Sequence, residues 1–232
     1  TAADPAATGA PPAGTSTTAA SGPTEIPGIV ANARLGVELR NALLVYKDEL
    51  TGLDSQVKDF NLVLKDISLT RATEIEMWAD MDTKLGKTFM VKGPARLEGK
   101  AKPELKNGKF DRAIVSAKLD LDGLEMIAPG LFEKKKGVAA NIELALNASE
   151  KAATIDRFIL KFFNAEIKVS GTVSNLGEAA PPGGMAPSPV VNMTIASNTI
   201  DFKPWNELVP MLKEYELGGT AKLDASAKGP SD

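Results

Sequence analysis

Apolar and polar residues alternate along most of this chain, in about ten separate segments. In one of them Val91, Ala95 and Leu97 share one parity. Lys92 and Glu98, which lie between them, have the other parity. Since successive side chains of a β-strand point to opposite faces of a sheet, each segment predicts a strand with one apolar and one charged side. Ten such segments in series predict a mainly β chain with a wide antiparallel sheet, apolar over one whole face.

The predicted apolar face is too large for the rest of the chain to cover. Ten strands spaced about 4.8 Å apart and roughly 26 Å long present on the order of 1,200 Å² on one side. Ordinary monomers expose contiguous apolar patches of only about 300–600 Å². The sheet is therefore expected either to fold over on itself into a sandwich or barrel, or to curl into a trough for apolar ligands.

The side chains on the apolar face favour the trough. Large aromatic residues are few, with eight Phe and two Trp, whereas sandwich cores usually contain a central aromatic anchor. Small residues such as Gly93, Gly99 and Ala117 recur at inward positions. Small side chains form a smooth surface for a ligand but fill little of the volume of a closed core. We therefore expect a wide, strongly twisted antiparallel sheet curled into an open groove, a β-taco or half-barrel, with one or two short helices.

The chain divides into a short linker and one domain. Residues 1–28, rich in Ala, Pro, Thr and Gly, bury too little apolar surface to fold and predict a disordered linker. Residues 29–232 form the predicted β-groove domain, in which the Pro/Gly-rich stretch 178–189 predicts a long flexible loop.

Local signals give the internal elements of the domain. Asn107-Gly108 predicts a hairpin turn, and the parity change at Lys65-Asp66 predicts a β-bulge. In the first strand Leu43 and Val45 are expected on the apolar face. Helical spacing over 204–212 predicts a short amphipathic helix kinked at Pro210, and 124–136 is expected to be helical or irregular.

The composition argues against several classes of function. The chain has no histidine and no cysteine, which removes the commonest general base and metal ligand together with thiolate sites. The net charge of −3 gives no basic footprint for nucleic acid, and no nucleophile motif or phosphate-binding glycine loop is present. We therefore predict no enzyme, no cofactor and no metal.

Three polar features of the sequence are candidates for a functional role. Glu74 with Glu76, and Asp80 with Asp82, are carboxylate pairs on an outer strand face and are expected to be solvated surface charges. The basic run 134–136 is expected to be a solvated loop, with contact to anionic headgroups as the alternative. Trp78 lies on the polar face, where it either marks a contact or packs under a helix.

Three stretches in order resemble AsmA-type proteins. The stretch 35–69 (LGVELRNALLVYKDELTGLDSQVKDFNLVLKDISL) resembles the family's strand with a "v-Y-x-D" turn that leads to an "l-x-D-l-n-l-x-l-x-d-i-s-l" strand. The stretch 158–176 (FILKFFNAEIKVSGTVSNL) resembles its hairpin, with Phe163-Asn164 where Gly is commoner. The stretch 197–229 (SNTIDFKPWNELVPMLKEYELGGTAKLDASAKG) resembles its helix followed by a "G-x-l-x-l-x-a-x-G" strand. The resemblance covers roughly residues 35–229.

The resemblance implies a C-terminal AsmA-type module, related to the TamB-like repeating β-groove proteins of the periplasm. It implies a periplasmic location, with a tether to the inner membrane through a segment not present in this chain. It also implies a part in moving phospholipid between the inner and outer membranes and in outer-membrane biogenesis. One module of this length is too short to bridge the periplasm alone.

The first functional hypothesis is a non-enzymatic module that binds or conducts phospholipid acyl chains. Burial of an acyl chain yields up to about 0.8 kcal/mol per methylene, and a uniform apolar floor keeps that burial nearly constant as a lipid slides. Each lining residue is equally consistent with ordinary core packing. The candidate lining residues are the inward-facing Leu62, Leu64, Ile75, Met77, Val91, Leu97, Val115, Leu119, Ile142, Leu144, Leu160, Phe162, Ile167 and Val169.

The alternative is a structural or interaction module that assists outer-membrane protein assembly through an exposed sheet edge. An open sheet leaves its edge strands able to pair with another chain. The first strand, 35–46, and the last, 220–228, are the candidate edges, and other envelope proteins are the candidate partners.

Overall fold

The computed structural model of the protein describes residues 33–177, 187–215 and 217–231. Within these residues the chain is mainly β, with one antiparallel sheet of twelve strands and two short helices. The two ends of the strand order do not pair with each other, so the described sheet is not closed. The predicted linker 1–28 and residues 178–186 of the predicted loop lie outside the described residues.

Ten strands form the continuous path of the sheet, one for each alternating segment of the sequence. In spatial order they are β1 (Leu35–Asp48), β2 (Leu53–Ile67), β3 (Thr73–Leu85), β4 (Phe89–Lys106), β5 (Lys109–Asp120), β8 (Ala140–Ser149), β9 (Ala152–Phe162), β10 (Ala165–Ser174), β11 (Val190–Ser197) and β14 (Asp224–Pro230). Off this path, β6 (Glu125–Ala128) pairs with β4, and β7 (Phe132–Lys134) pairs with β6. β12 (Ile200–Asp201) and β13 (Thr220–Ala221) form a separate two-stranded sheet.

The hydrogen-bonded register puts the apolar positions of neighbouring strands on the same side of the sheet. Leu62 of β2 lies opposite Met77 of β3, which lies opposite Leu97 of β4. The series continues through Leu119 of β5 to Ile142 of β8. We call this side the apolar face and the opposite side, where most charged residues lie, the charged face. The prediction of one wide antiparallel sheet with one apolar face is confirmed.

Bulges keep the apolar face continuous where the sequence parity changes. Asp66 has a φ of 54° next to a register shift between β1 and β2, so the bulge predicted at this position is confirmed. Two further bulges, at Asn41 (φ 51°) and Asp59 (φ 46°), shift the register in the middle of the same strands. A bulge inserts one unpaired residue and so exchanges the faces of all residues beyond it.

The bulge at Asn41 makes the prediction for the first strand wrong beyond that residue. Leu44 and Tyr46, opposite Val57 and Ser55 of β2, lie on the apolar face. Leu43 and Val45 therefore lie on the charged face, because the inserted residue reverses the parity on which they were assigned.

Two residues connect the strands in three of the hairpins, and two of these turns contain residues with positive φ. Asn107 and Gly108 have φ values of 54° and 73° and connect β4 to β5, as a type I′ turn requires, so the hairpin signal is confirmed. Phe163 and Asn164 connect β9 to β10, with Phe163 at a φ of 55°. Phe163 thus occupies a left-handed position that usually favours glycine.

Of the two segments without alternation, one forms the predicted helix and the other does not. Trp205–Leu208 is a helix, α1, and Pro210–Tyr215 is a 3₁₀ helix. The helix therefore forms and breaks at Pro210, which has no N–H to continue it. The expectation for 124–136 is wrong, because this segment contains the β6–β7 hairpin, which extends the sheet beside β4. None of the helices in the described ranges is long and apolar enough to cross a bilayer.

Candidate functional site

All fourteen predicted lining residues lie on the apolar face. One row of them crosses the sheet at right angles to the strands, from Leu62 of β2 to Ile167 of β10. In order, this row consists of Leu62, Met77, Leu97, Leu119, Ile142, Leu160 and Ile167. A parallel row contains Leu64, Ile75, Leu144 and Val169, with Gly99, Ala117 and Phe158 between them. The prediction that these residues contact lipid stays a prediction.

The apolar face is not sealed by a second layer of the described chain. Of the fourteen residues only Val91 is buried, at 8% exposure, and the other thirteen are partly exposed. A closed core of this size would bury most of its large apolar side chains below 5–10% exposure. The buried apolar residues of the described chain are Val63, Val91, Leu124, Ala140, Ala165 and Leu208. The middle of the sheet therefore keeps its apolar side chains accessible.

One glycine on this face is required by the backbone. Gly93 has a φ of 118°, and a Cβ added to it would lie 2.5 Å from the carbonyl oxygen of Gly123. The sequence predicts Gly93 as one of the small residues that form the surface of the trough. Its small size also lets the loop before β6 approach β4 closely.

Aromatic residues cover one end of the apolar face. The Trp205 ring lies 6.1 Å from Phe162, 5.9 Å from Phe163 and 6.3 Å from Phe202, measured between centroids. Phe132 of β7 stacks on Phe162 at 6.0 Å. We call these five residues the aromatic cap. Phe162, one of the predicted lining residues, is thus packed within the cap.

Hydrogen bonds fix the cap to the turn between β9 and β10. Trp205 Nε1 donates to Asn164 Oδ1 at 2.8 Å, and Asn164 Nδ2 donates to the carbonyl of Asp201 at 2.7 Å. Asn198 Nδ2 donates to the Asn164 carbonyl at 2.8 Å. Leu208 of α1 is 3% exposed. The helical segment is therefore held over one end of the sheet by both apolar packing and polar contacts.

A buried lysine lies at the same end. Lys134 of β7 is fully buried, and its Nζ donates to the carbonyls of Leu124 at 2.6 Å and Asp122 at 3.2 Å. Burial lowers the pKa of this ammonium, and the carboxylates of Asp122 and Asp120 oppose the shift. The expectation that Lys134 belongs to a solvated loop is wrong, because β7 carries its side chain into the interior.

The sequence missed this polar cluster. Asp122 Oδ1 accepts hydrogen bonds from the Ala140 N–H at 2.6 Å and from Asn141 Nδ2 at 3.2 Å, so it joins the break between β5 and β6 to β8. A single lysine within a basic run gives no local signal of burial, and only the strand pairing of β7 reveals it.

The charged face is a surface of ion pairs between neighbouring strands. Lys65 Nζ lies 2.8 Å from Glu76, and Lys100 Nζ lies 3.0 Å from Glu74. The Lys65 ammonium holds the pKa of the Glu76 carboxyl below its usual value. A concavity of about 530 Å³ over β3, β4 and β5 is lined by Glu74, Glu76 and Lys100, and also by Arg157. A general acid needs a raised carboxyl pKa, so Glu76 has the properties of a structural ion pair.

Trp78 also lies on the charged face, opposite Arg96 of β4. Its indole borders a concavity of about 590 Å³ that is also lined by Pro94, Arg96 and Lys136. The described helices pack against β7 at the other side of the sheet, so of the two alternatives for Trp78, packing under a helix is wrong.

Both predicted edge strands are sheet edges. β1 and β14 are the first and last strands of the path. The predicted last strand divides at Lys222-Leu223, with Thr220–Ala221 paired to β12 and Asp224–Pro230 paired to β11.

The chain matches no protein-family model, no curated protein and no solved structure. The resemblance to AsmA-type proteins and everything that it implies therefore stay predictions.

Proposed function

We propose that this chain is a non-enzymatic module of the cell envelope whose apolar face binds or conducts the acyl chains of phospholipid. The observation that supports the proposal is the accessible apolar face, which runs through ten strands without a second layer from the described chain. Apolar surface of this extent is seldom left to water in a stable protein. In this proposal the sheet curls about that face into an open groove, and the resemblance to AsmA-type proteins places it in the periplasm.

The positions of the apolar residues favour movement across the strands. The aromatic cap closes one end of the face in the direction of the strands. The row from Leu62 to Ile167 runs in the other direction, from strand to strand, without a charged residue in it. Each methylene buried along such a row is stabilised by up to about 0.8 kcal/mol. Because neighbouring positions are alike, a chain that moves along the row exchanges equivalent contacts.

Two adjacent residues on opposite faces provide a matched test. A photoreactive benzophenone amino acid is placed at Leu144, on the apolar face, or at Glu143, on the charged face. We expect crosslinks to phospholipid in bacteria at position 144 and at most traces at 143, because only the first side chain lines the apolar face. Equal crosslinking at both positions would contradict the proposal.

Native mass spectrometry of the purified protein tests binding independently. Bound phospholipid is expected with the parent chain and with Glu143→Gln, and is expected to be lost with Leu144→Asp, which puts a carboxylate in the middle of the apolar face. A parent protein that is well folded by circular dichroism and consistently free of lipid would overturn the proposed function.

A further inference from the structure

The outer edge of β1 combines a free backbone with exposed apolar side chains. β1 is 14 residues long and ends the strand order, so one side of its backbone pairs with no other described strand. A long, apolar, exposed edge is a template for pairing with a further strand. The large side chains of β1 that are at least 40% exposed are Leu35, Val37, Leu39, Leu43, Leu44, Val45 and Tyr46.

The opposite edge is protected in ways that β1 is not. β14 has seven residues, and its side chains are mostly small. It ends at Pro230. Proline and short length are usual protections of an edge strand. This difference favours pairing of a further strand with β1 over pairing with β14.

We propose that two copies of this chain pair through β1, antiparallel and about a two-fold axis, with Glu38 of each copy opposite Lys47 of the other. Antiparallel pairing of a strand with itself is self-complementary, so every contact occurs twice. Opposite charges on directly facing strand positions stabilise the pairing. The inference concerns the edge of β1 and does not depend on whether the apolar face takes lipid.

The bulge at Asn41 makes this register possible. In a regular strand, facing residues whose numbers add up to an odd value would point to opposite faces. The inserted residue reverses the parity between the two halves of β1. Glu38 and Lys47 therefore lie on the same charged face, opposite Val63 and Asp54 of β2.

The same register places two further pairs of β1 side chains on a common face. Leu39 lies opposite Tyr46 of the second copy, and both are on the apolar face, at 44% and 59% exposure. Arg40 lies opposite Val45 of the second copy, on the charged face. Because the two-fold axis is normal to the sheet, the apolar faces of the two copies lie on the same side and become continuous.

A pair of substitutions at one position tests the register by the sign of the charge. Val45→Lys puts a like charge opposite Arg40 twice in each dimer, whereas Val45→Glu puts an opposite charge there. By sedimentation velocity, we expect the parent chain to dimerise reversibly at micromolar concentrations. The dimer dissociation constant is expected to rise about tenfold for Val45→Lys and to stay within about threefold of the parent for Val45→Glu. Leu131→Lys, at a residue that is 59% exposed in the turn between β6 and β7 and away from β1, is the control and leaves it unchanged.

Disulfide trapping tests the geometry directly, because the chain has no cysteine of its own. Glu38→Cys and Lys47→Cys are made as separate variants and mixed under mild oxidation. A crosslinked dimer is expected from the mixture and not from either variant alone. In this register position 38 faces position 47 of the second copy, whereas the same position in the two copies is far apart along the strands.

Three results would overturn the inference. The first is a parent chain that stays monomeric up to about 200 μM, far above the micromolar range expected of it. The second is equal weakening by Val45→Lys and Val45→Glu, which would indicate association without this register. The third is capture of a different protein on β1 with no dimer of the chain itself.

Discussion

The two ends of the sheet are built differently. At the end that carries α1, Leu124, Lys134 and Leu208 are 4%, 0% and 3% exposed, beneath the aromatic cap. At the other end, Phe110 near the start of β5 and Val190 at the start of β11 are 46% and 36% exposed. Packing therefore fixes one end of the sheet, whereas the rest of the apolar face stays accessible. Native proteins commonly separate stable from adaptable regions in this way.

The largest effect is expected from removing the centre of the cap. Trp205→Ala removes three ring contacts and a hydrogen bond to Asn164 and is expected to lower the free energy of unfolding by about 3–5 kcal/mol. Trp78→Ala, on the charged face, is the matched control, with an expected loss of less than about 1 kcal/mol. Urea denaturation followed by circular dichroism measures both. Equal losses would show that stability is not concentrated at the capped end.

An intermediate effect is expected from Lys134 as the pH is raised. Its pKa in the folded state is lowered from the ordinary 10.5 by burial, so in the window between the lowered pKa and about 10.5 the unfolded chain binds more protons. The free energy of unfolding of the parent chain should therefore rise with pH in this window, relative to that of Lys134→Met. Denaturant titrations of both proteins between pH 7 and pH 11 measure the difference, and parallel curves would contradict the assignment.

The smallest effect is expected from an ion pair far from the cap. Arg112 first, and Lys102 second, hold the pKa of the Glu104 carboxyl below its ordinary 4.5. The contribution of Glu104 is therefore present above pH 4.5 and is lost as the pH falls through the lowered pKa. Glu104→Gln should remove this part of the acid dependence and leave the capped end unaffected. Acid titrations of the two proteins test this, and a change in Trp205 fluorescence at neutral pH would contradict it.

Periodicity predicted the strands because each strand carries apolar side chains on one face and polar or charged side chains on the other. All ten segments are strands of one sheet, and Asn107-Gly108 and Asp66 form the predicted turn and bulge. The fourteen lining residues share a face for the same reason, since antiparallel pairing carries parity from one strand to the next.

The sequence-based predictions fail where the face on which a residue lies is not determined by the neighbouring sequence. The bulge at Asn41 depends on its pairing with β2 and on the bulge at Asp59, and it reverses the faces of Leu43 and Val45. The hairpin in 124–136 is too short to show alternation, and the burial of Lys134 follows from contacts with the break between β5 and β6. Such features depend on partners distant in sequence, which a pattern along one segment does not contain.

The described strands make their main contacts with hydrogen-bonded neighbours, apart from β7 against the helical segment. The free energy of unfolding of such an arrangement is close to a sum of contributions from each strand and from its contacts with the adjacent strands, as in repeat proteins. The sheet is then modular: a hairpin added at β1 would lengthen it, and one removed there would leave the strands from β3 onwards with their own pairing. Evolution can vary the width of such a protein by whole hairpins without redesigning its interior.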